Sequence, residues 1–154
     1  MKITETNDFQ KIAQLNKSVQ QLHAELYPDH FKKSTNEEVE AFFQSIIDFP
    51  QFIFLLASFA EEDIGYAWIE FRHYEETPFT KAYQTIYVHQ ISIDPTHKGK
   101  GYGSKLMSAI ENFALQHGIS KVELDYWVQN TVAKAFYETK GYQKYREVVC
   151  KELS

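Results

Sequence analysis

Cysteine occurs once in this chain of 154 residues, at Cys150, so no disulfide can close within it. That points to a fold held by its core in a reducing compartment, the cytoplasm. Cys150 follows Val148 and Val149 and reads as a small buried hydrophobe. Long apolar runs are missing as well. The longest, Phe52 to Ala60 interrupted by Ser58, falls well short of the ~20 residues of a membrane span, so it reads as a buried strand. The opening MKITETNDF has no apolar stretch of the secretory kind. Basic charge is in deficit: 16 Lys and Arg against 21 Asp and Glu leave a formal −5. Nucleic acid calls for a basic face, so this balance speaks against it, and it suits a cationic partner such as an amine.

Aromatic and aliphatic residues, by contrast, are plentiful. With 44% apolar and 16% aromatic residues the chain has the anchors for a core. A single domain of this size buries roughly 68–70% of its unfolded surface. Residues 1–154 read as one such domain. Lys2-Ile3-Thr4 forms a short strand. Asn7 or Asp8 caps a helix whose stripe is Phe9, Ile12, Leu15, Val19, Leu22 and Leu26, stopped at Pro28. Ser34, Thr35 or Asn36 caps a second, with Val39, Phe42, Phe43, Ile46 and Ile47 as its stripe.

Gln51 to Phe59 and Ile64 to His73 read as an antiparallel hairpin about a polar turn at Glu61-Glu62-Asp63. Thr85 to Ile93 is the next strand. A helix from about Tyr102 to Gln116 follows, then a strand over Lys121 to Val128, a short helix over Thr131 to Lys140 and a β-rich stretch from Tyr142 to Leu153. Antiparallel strands first and β-α-β units later give a mixed α/β (α+β) domain.

Only six glycines occur, and three of them crowd into Lys98-Gly99-Lys100-Gly101-Tyr102-Gly103-Ser104, between a strand and a helix. The first amides of a helix have no internal partner, and the helix dipole places partial positive charge there. Glycines let backbone come close to a ligand and adopt positive φ. The combination suits phosphate, and a pyrophosphate best. No Gly-Lys-Ser/Thr tripeptide is present, and Ser104 stands where G-x-G-x-x-G needs its third glycine, so neither common nucleotide loop is matched. Taken alone, such a segment is also an ordinary tight strand-to-helix turn.

Three pieces together resemble the GNAT acetyltransferases. Lys98-Gly99-Lys100-Gly101-Tyr102-Gly103 is similar to that family's Gln/Arg-x-x-Gly-x-Gly/Ala loop, with Lys98 in place of Gln or Arg. Ile91-Ser92-Ile93-Asp94-Pro95 looks like the strand end before the loop. Asn130-Thr131-Val132-Ala133-Lys134-Ala135-Phe136-Tyr137, with Gly141-Tyr142, looks like the family's Asn-x-x-Ala-x-x-Phe-Tyr … Gly-Phe/Tyr segment.

The resemblance implies a twisted, mostly antiparallel mixed sheet with helices on both faces. It also implies acetyl-CoA as cosubstrate without a metal, and acetyl transfer to a primary amine of a small molecule or a protein. Dimers are common in the family. Backbone of Ile91 and Ile93 would pair with the pantetheine arm. Lys98, Gly99, Lys100, Gly101, Tyr102, Gly103 and Ser104 would hold the pyrophosphate, and Asn130 would bond the arm or nearby backbone. Tyr137 would protonate the leaving thiolate.

The family often carries a carboxylate on the fourth strand, but Tyr87-Val88-His89-Gln90-Ile91 has none. His89 can titrate near neutrality and is the candidate base. Strict alternation would put Tyr87, His89, Ile91 and Ile93 on one face. His23, Tyr27 and Phe31, with Tyr87, Asp125 and Trp127, are the candidates for the acceptor side, and Glu25 and Asp29 could attract a cation. The missing carboxylate keeps a second reading open, an acyl-CoA-sensing module without turnover. A third, an unrelated nucleotide-binding protein, has the Asn130–Tyr142 segment against it.

Overall fold

A computed structural model describes residues 1–154. Its sheet has the order β1-β2-β3-β4-β5, with β1 at Lys2–Glu5, β2 at Phe52–Phe59, β3 at Glu62–Tyr74, β4 at Tyr83–Ile93 and β5 at Val122–Leu124. The first four strands are antiparallel to their neighbours, and β5 runs parallel to β4. Helices α1 (Phe9–Leu26) and α2 (Asn36–Ile46) follow β1. Helices α3 (Tyr102–Gln116) and α4 (Thr131–Thr139) flank β5. No helix is long and apolar enough to cross a membrane.

Local chemistry sets the helix starts. The Asp8 carboxylate accepts from the Lys11 amide at the head of α1, and Thr35 and Glu38 form a reciprocal capping box on α2. The β2–β3 hairpin turns on Ala60 and Glu61, both at positive φ (50° and 66°). A two-residue turn of this hand matches the twist of the strands it joins. It lies one residue before the predicted polar turn.

The apolar stripes bury on opposite faces. Ile12, Phe43 and Ile46 meet Phe54, Tyr66 and Trp68 on the α1/α2 side. Leu106, Met107, Ile110 and Ala114 of α3 meet Ala67, Ile69, Ile86 and Val88 on the other. Each fully buried aliphatic side chain contributes roughly 1.5–3 kcal/mol by leaving water. Phe42, placed by the sequence on the inner stripe of α2, is instead 47% exposed at its margin.

A bulge in β4 interrupts the alternation. Trp68 lies opposite Gln90, but the next residue of β3, Ile69, lies opposite Val88, so His89 has no partner. Before the bulge the even residues Ile86 and Val88 pack toward α3; after it the odd residues Ile91 and Ile93 do. The expected sharing of one face by Tyr87, His89, Ile91 and Ile93 is therefore corrected. Gln90 turns to the α1 side, where its Oε1 accepts from the Tyr66 hydroxyl at 2.6 Å and from Asn16 Nδ2 at 3.0 Å. This polar knot ties α1 to the bulge. Two of its members are deeply buried, Asn16 being 3% exposed and Tyr66 wholly enclosed, while Gln90 is half-buried.

Two further expectations fail. The fifth strand is confined to Val122–Leu124 rather than Lys121 to Val128, so Asp125 and Trp127 lie beyond it. The residues from Tyr142 to Leu153 form no strand, and Cys150 is exposed rather than buried. β5 is the terminal strand of the sheet, yet these residues make no ladder with it. Tyr142 and Tyr145 tie the segment back, donating their hydroxyls to Glu111 at 3.1 Å and to Glu123 at 2.8 Å.

Candidate active site

The parallel pair ends early. Its last register pair is Val88 with Leu124, and from Gln90 to Ile93 the β4 backbone is paired only with β3. Past Leu124 no backbone hydrogen bond joins β4 to the segment after β5, so the two part in a cleft edged by unpaired peptide groups of a strand. Ile91 and Ile93 lie along it.

The glycine-rich loop closes one end of the cleft. Asp94 caps a short 3-10 turn at Pro95–His97, and α3 starts at Gly101, which has φ +78°. Gly99 has φ +76°, and a Cβ at either position would meet no other atom, so the need for glycine there comes from backbone conformation and not from crowding. The first intrahelical bond runs from the Lys105 amide to the Gly101 carbonyl. No backbone acceptor engages the amides of Gly99, Lys100, Gly101, Tyr102, Gly103 or Ser104, and no side chain caps the helix. Six successive N–H groups at a positive helix end remain available to an anion. The Lys98 side chain is exposed beside them.

The three sequence pieces converge at Gly103. A Cβ there would lie 3.7 Å from the Phe136 ring and 3.9 Å from Ile93 Cγ1. Helix α4 docks on α3 through Lys140, whose Nζ donates to the Ser104 carbonyl at 3.3 Å and to Ser108 Oγ at 3.1 Å. Asn130 serves α4 as N-cap, accepting from the Ala133 amide at 3.1 Å.

Tyr137 is thereby turned into the core, 8% exposed, with its ring 5.8 Å from that of Tyr126. Its hydroxyl has no hydrogen-bond partner in the chain, yet it is not sealed in, because the indole Nε1 of Trp68 is the one buried polar side-chain atom without a partner. Burial, reinforced by the Asp125 charge, pushes the Tyr137 phenol up to about 12.

His89 leaves the ladder at the bulge and stacks on Trp68, centroids 4.2 Å apart. Its Nε2 lies 2.7 Å from Oε2 of Glu70, on the neighbouring strand, and Arg72 Nε approaches the same oxygen at 2.7 Å. Burial lowers the histidine pKa, while the Glu70 carboxylate opposes that shift. Glu70 is the residue that sequence reasoning missed. The carboxylate absent from β4 is supplied by β3, in register with Tyr87. A signal was present in the alternation Tyr66, Trp68, Glu70, but only the strand pairing connects it to His89.

The acceptor-side candidates form two groups. Tyr87 donates its hydroxyl to Asp125 Oδ2 at 2.5 Å, under the Arg72 guanidinium, whose Cζ lies 3.5 Å from the ring centre. Tyr27, Phe31 and Trp127 cluster with His23 and His30. Trp127 lies 4.6 Å from Tyr27 and 5.1 Å from Phe31, and His23 stacks on Phe31 at 4.8 Å. The Gln129 amide donates to the Tyr27 hydroxyl at 2.9 Å, which fastens the end of α1 to the segment after β5. Glu25 and Asp29 remain exposed beside this wall.

Comparison with known proteins agrees with this arrangement. Residues 16–142 match the acetyltransferase (GNAT) family, and the chain belongs to it. An uncharacterized N-acetyltransferase of Bacillus subtilis strain 168, YycN, is 32% identical over 95 residues, which are 60% of this chain and 56% of that protein. The chain thus spans little more than half the length of that relative.

Among solved structures, the tetramutant of protein BH1408 from Bacillus halodurans superposes with a TM-score of 0.92 at 24% identity, over 99% of this chain and all of the other. A predicted acetyltransferase from Clostridium acetobutylicum, solved with acetyl-CoA, has a TM-score of 0.69 at 18% identity, over 98% of this chain and 95% of that one. At these identities the likeness shows the fold, with its mostly antiparallel sheet and helices on both faces.

Proposed function

We propose that this chain transfers the acetyl group of acetyl-CoA to a primary amine of a small molecule or protein, by direct attack within the β4–β5 cleft. The observation that carries the reading is the alignment of an unpaired strand edge with six unpartnered amides at its end. The edge suits the amide-bearing pantetheine arm, and the amides of Gly99 to Ser104 suit its diphosphate. Acetyl-CoA supplies an acyl group activated as a thioester. The residues of the chain supply the rest.

Attack needs a neutral amine, so its proton must be taken. His89, at the bulge beyond which β4 and β5 part, is our candidate, and burial, which lowers its pKa, favours the unprotonated form a base needs. Charge building on the carbonyl oxygen calls for a fixed amide, and the β4 backbone around Ile91 offers one without reorganisation. The departing thiolate needs a proton. Tyr137, held protonated by its raised pKa and with its hydroxyl unengaged, can give it. The aromatic wall of Tyr27, Phe31 and Trp127 would cover the alkyl part of a cationic acceptor, with Asp29 and Glu25 attracting its charge. The pairing of His89 with Glu70 answers the missing fourth-strand carboxylate and favours turnover over sensing.

Thermal unfolding with acetyl-CoA tests the first half of the reading. At a ligand concentration about a hundredfold above Kd, binding to the folded state alone adds ~2.7 kcal/mol and raises Tm. A rise with ATP or NAD and none with acetyl-CoA would overturn it. Release of free CoA across a panel of amines then identifies the acceptor.

A further inference from the structure

Two features at the bulge point past the assignment of a base. His89 Nε2 sits on Glu70 Oε2, an oxygen that also receives Arg72 Nε, each at 2.7 Å. A carboxylate accepts hydrogen bonds and cannot donate them, so Nε2 carries the hydrogen in this pair. The second ring nitrogen, Nδ1, has no partner in the chain, and it is absent from the buried unpartnered atoms, which are limited to the Trp68 indole. It is accessible. The ring cannot swing freely to exchange the two nitrogens, being stacked on Trp68 at 4.2 Å and flanked edge-on by Tyr87 at 5.0 Å and Phe52 at 5.5 Å.

We propose that Glu70 is a positioning residue. It fixes His89 as the Nε2–H tautomer and so presents the Nδ1 lone pair to the cleft to take the acceptor amine's proton. The proposal rests on the acetyl-transfer reading above and names the partner that makes its base work. In the step an N–H bond of the ammonium breaks, its electron pair stays on nitrogen, and the proton bonds to Nδ1. The resulting imidazolium faces the Glu70 carboxylate, and its proton returns to solvent through the accessible Nδ1.

The charged groups around it are Glu70 and Arg72 from β3, with Tyr87 on β4 and Asp125 after β5 joined by their own hydrogen bond. Arg72 opposes the imidazolium, so the Glu70 carboxylate is what keeps the histidine basic enough to serve.

Nitrogen-15 NMR of the histidine rings in the intact chain reads the tautomer without any acceptor. The wild type should show Nε2–H for His89, and Glu70→Ala should show mixed tautomers. Glu70→Gln keeps an accepting oxygen and removes the charge. It should therefore lower the His89 titration midpoint, leave the acetyl-CoA-induced Tm shift unchanged, and reduce kcat about tenfold or more. Spermidine and kanamycin serve as amine probes, read by CoA release. The acidic limb of its kcat/KM profile should move to lower pH.

An Nδ1–H tautomer in the wild type would overturn the proposal. So would a tautomer indifferent to Glu70→Ala, or an acidic limb that stays in place in Glu70→Gln. Absence of acetyl transfer by the wild type to any amine would instead overturn the acetyltransferase reading, and the tautomer spectra tell the two failures apart.

Discussion

Gly65 of β3 lies directly against the Ser92 carbonyl of β4, closer than any side chain would permit. A Cβ on Gly65 would overlap that oxygen and come within 2.6 Å of Ile93 Cδ1. The contact holds the far end of β4 in place, beside the cleft floor. Gly65→Ala should destabilise the fold by ~1–3 kcal/mol, since the obstruction is backbone and cannot rotate away. It should also weaken acetyl-CoA binding by shifting Ser92 and Ile93. Chemical denaturation and ligand titration of the variant check both effects; unchanged stability would mean that β4 is free to move there.

Gly101 separates conformation from charge. Asparagine tolerates its left-handed backbone better than most residues do, and aspartate is nearly the same size but brings a negative charge to six amides. Gly101→Asn should retain most of the acetyl-CoA affinity, whereas Gly101→Asp should bind at least tenfold more weakly. Isothermal titration of the pair decides the matter, and equal Kd values would remove the loop from the diphosphate site.

The Tyr137 hydroxyl makes no hydrogen bond in the chain, while its ring is core. Tyr137→Phe should therefore keep Tm within a degree or two of the wild type and bind acetyl-CoA normally. Turnover should fall about a hundredfold, the usual scale of a lost general acid. An undiminished kcat would remove Tyr137 from the mechanism.

Burial holds His23 and His89 below the ordinary histidine value. The folded state thus binds fewer protons than the unfolded chain, whose histidines titrate near ~6.5. Their contribution to stability is complete above that pH and is lost as pH falls through the lowered folded values. Tm should be flat from about pH 8 to 7 and decline below about 6.5, before carboxylates begin to titrate near ~4. The double variant His23→Gln, His89→Gln should decline less steeply over that interval, which differential scanning fluorimetry across pH can read.

What the sequence disclosed was what short stretches of chain decide for themselves. The stripe from Phe9 to Leu26, the caps at Asp8 and Thr35 and the left-handed Gly99 and Gly101 all depend on near neighbours. Candidate residues carried by a local motif could be named in advance, as Tyr137 on α4 and Asn130 at its head were. The Glu70–His89 pair did not, because it joins residues nineteen positions apart through a strand pairing whose register carries an irregularity. The β4 bulge hid for the same reason: nothing in Val88-His89-Gln90 marks which residue goes unpaired. The residues from Tyr142 to Leu153 misled in the opposite way, having β-forming side chains yet making no ladder with the terminal strand β5.

The unpaired position at His89 makes this residue an addition to a ladder that would close without it. Exchanging His89 for another residue removes a proton acceptor and leaves every other side chain on its own side of the sheet. Excising it would restore the two-residue repeat by setting Val88 next to Gln90, and would leave Ile91 and Ile93 in the α3 layer and Gly65 against its close neighbour. Point changes at this position can retune the chemistry, and even its deletion would remove the histidine while sparing the frame around it.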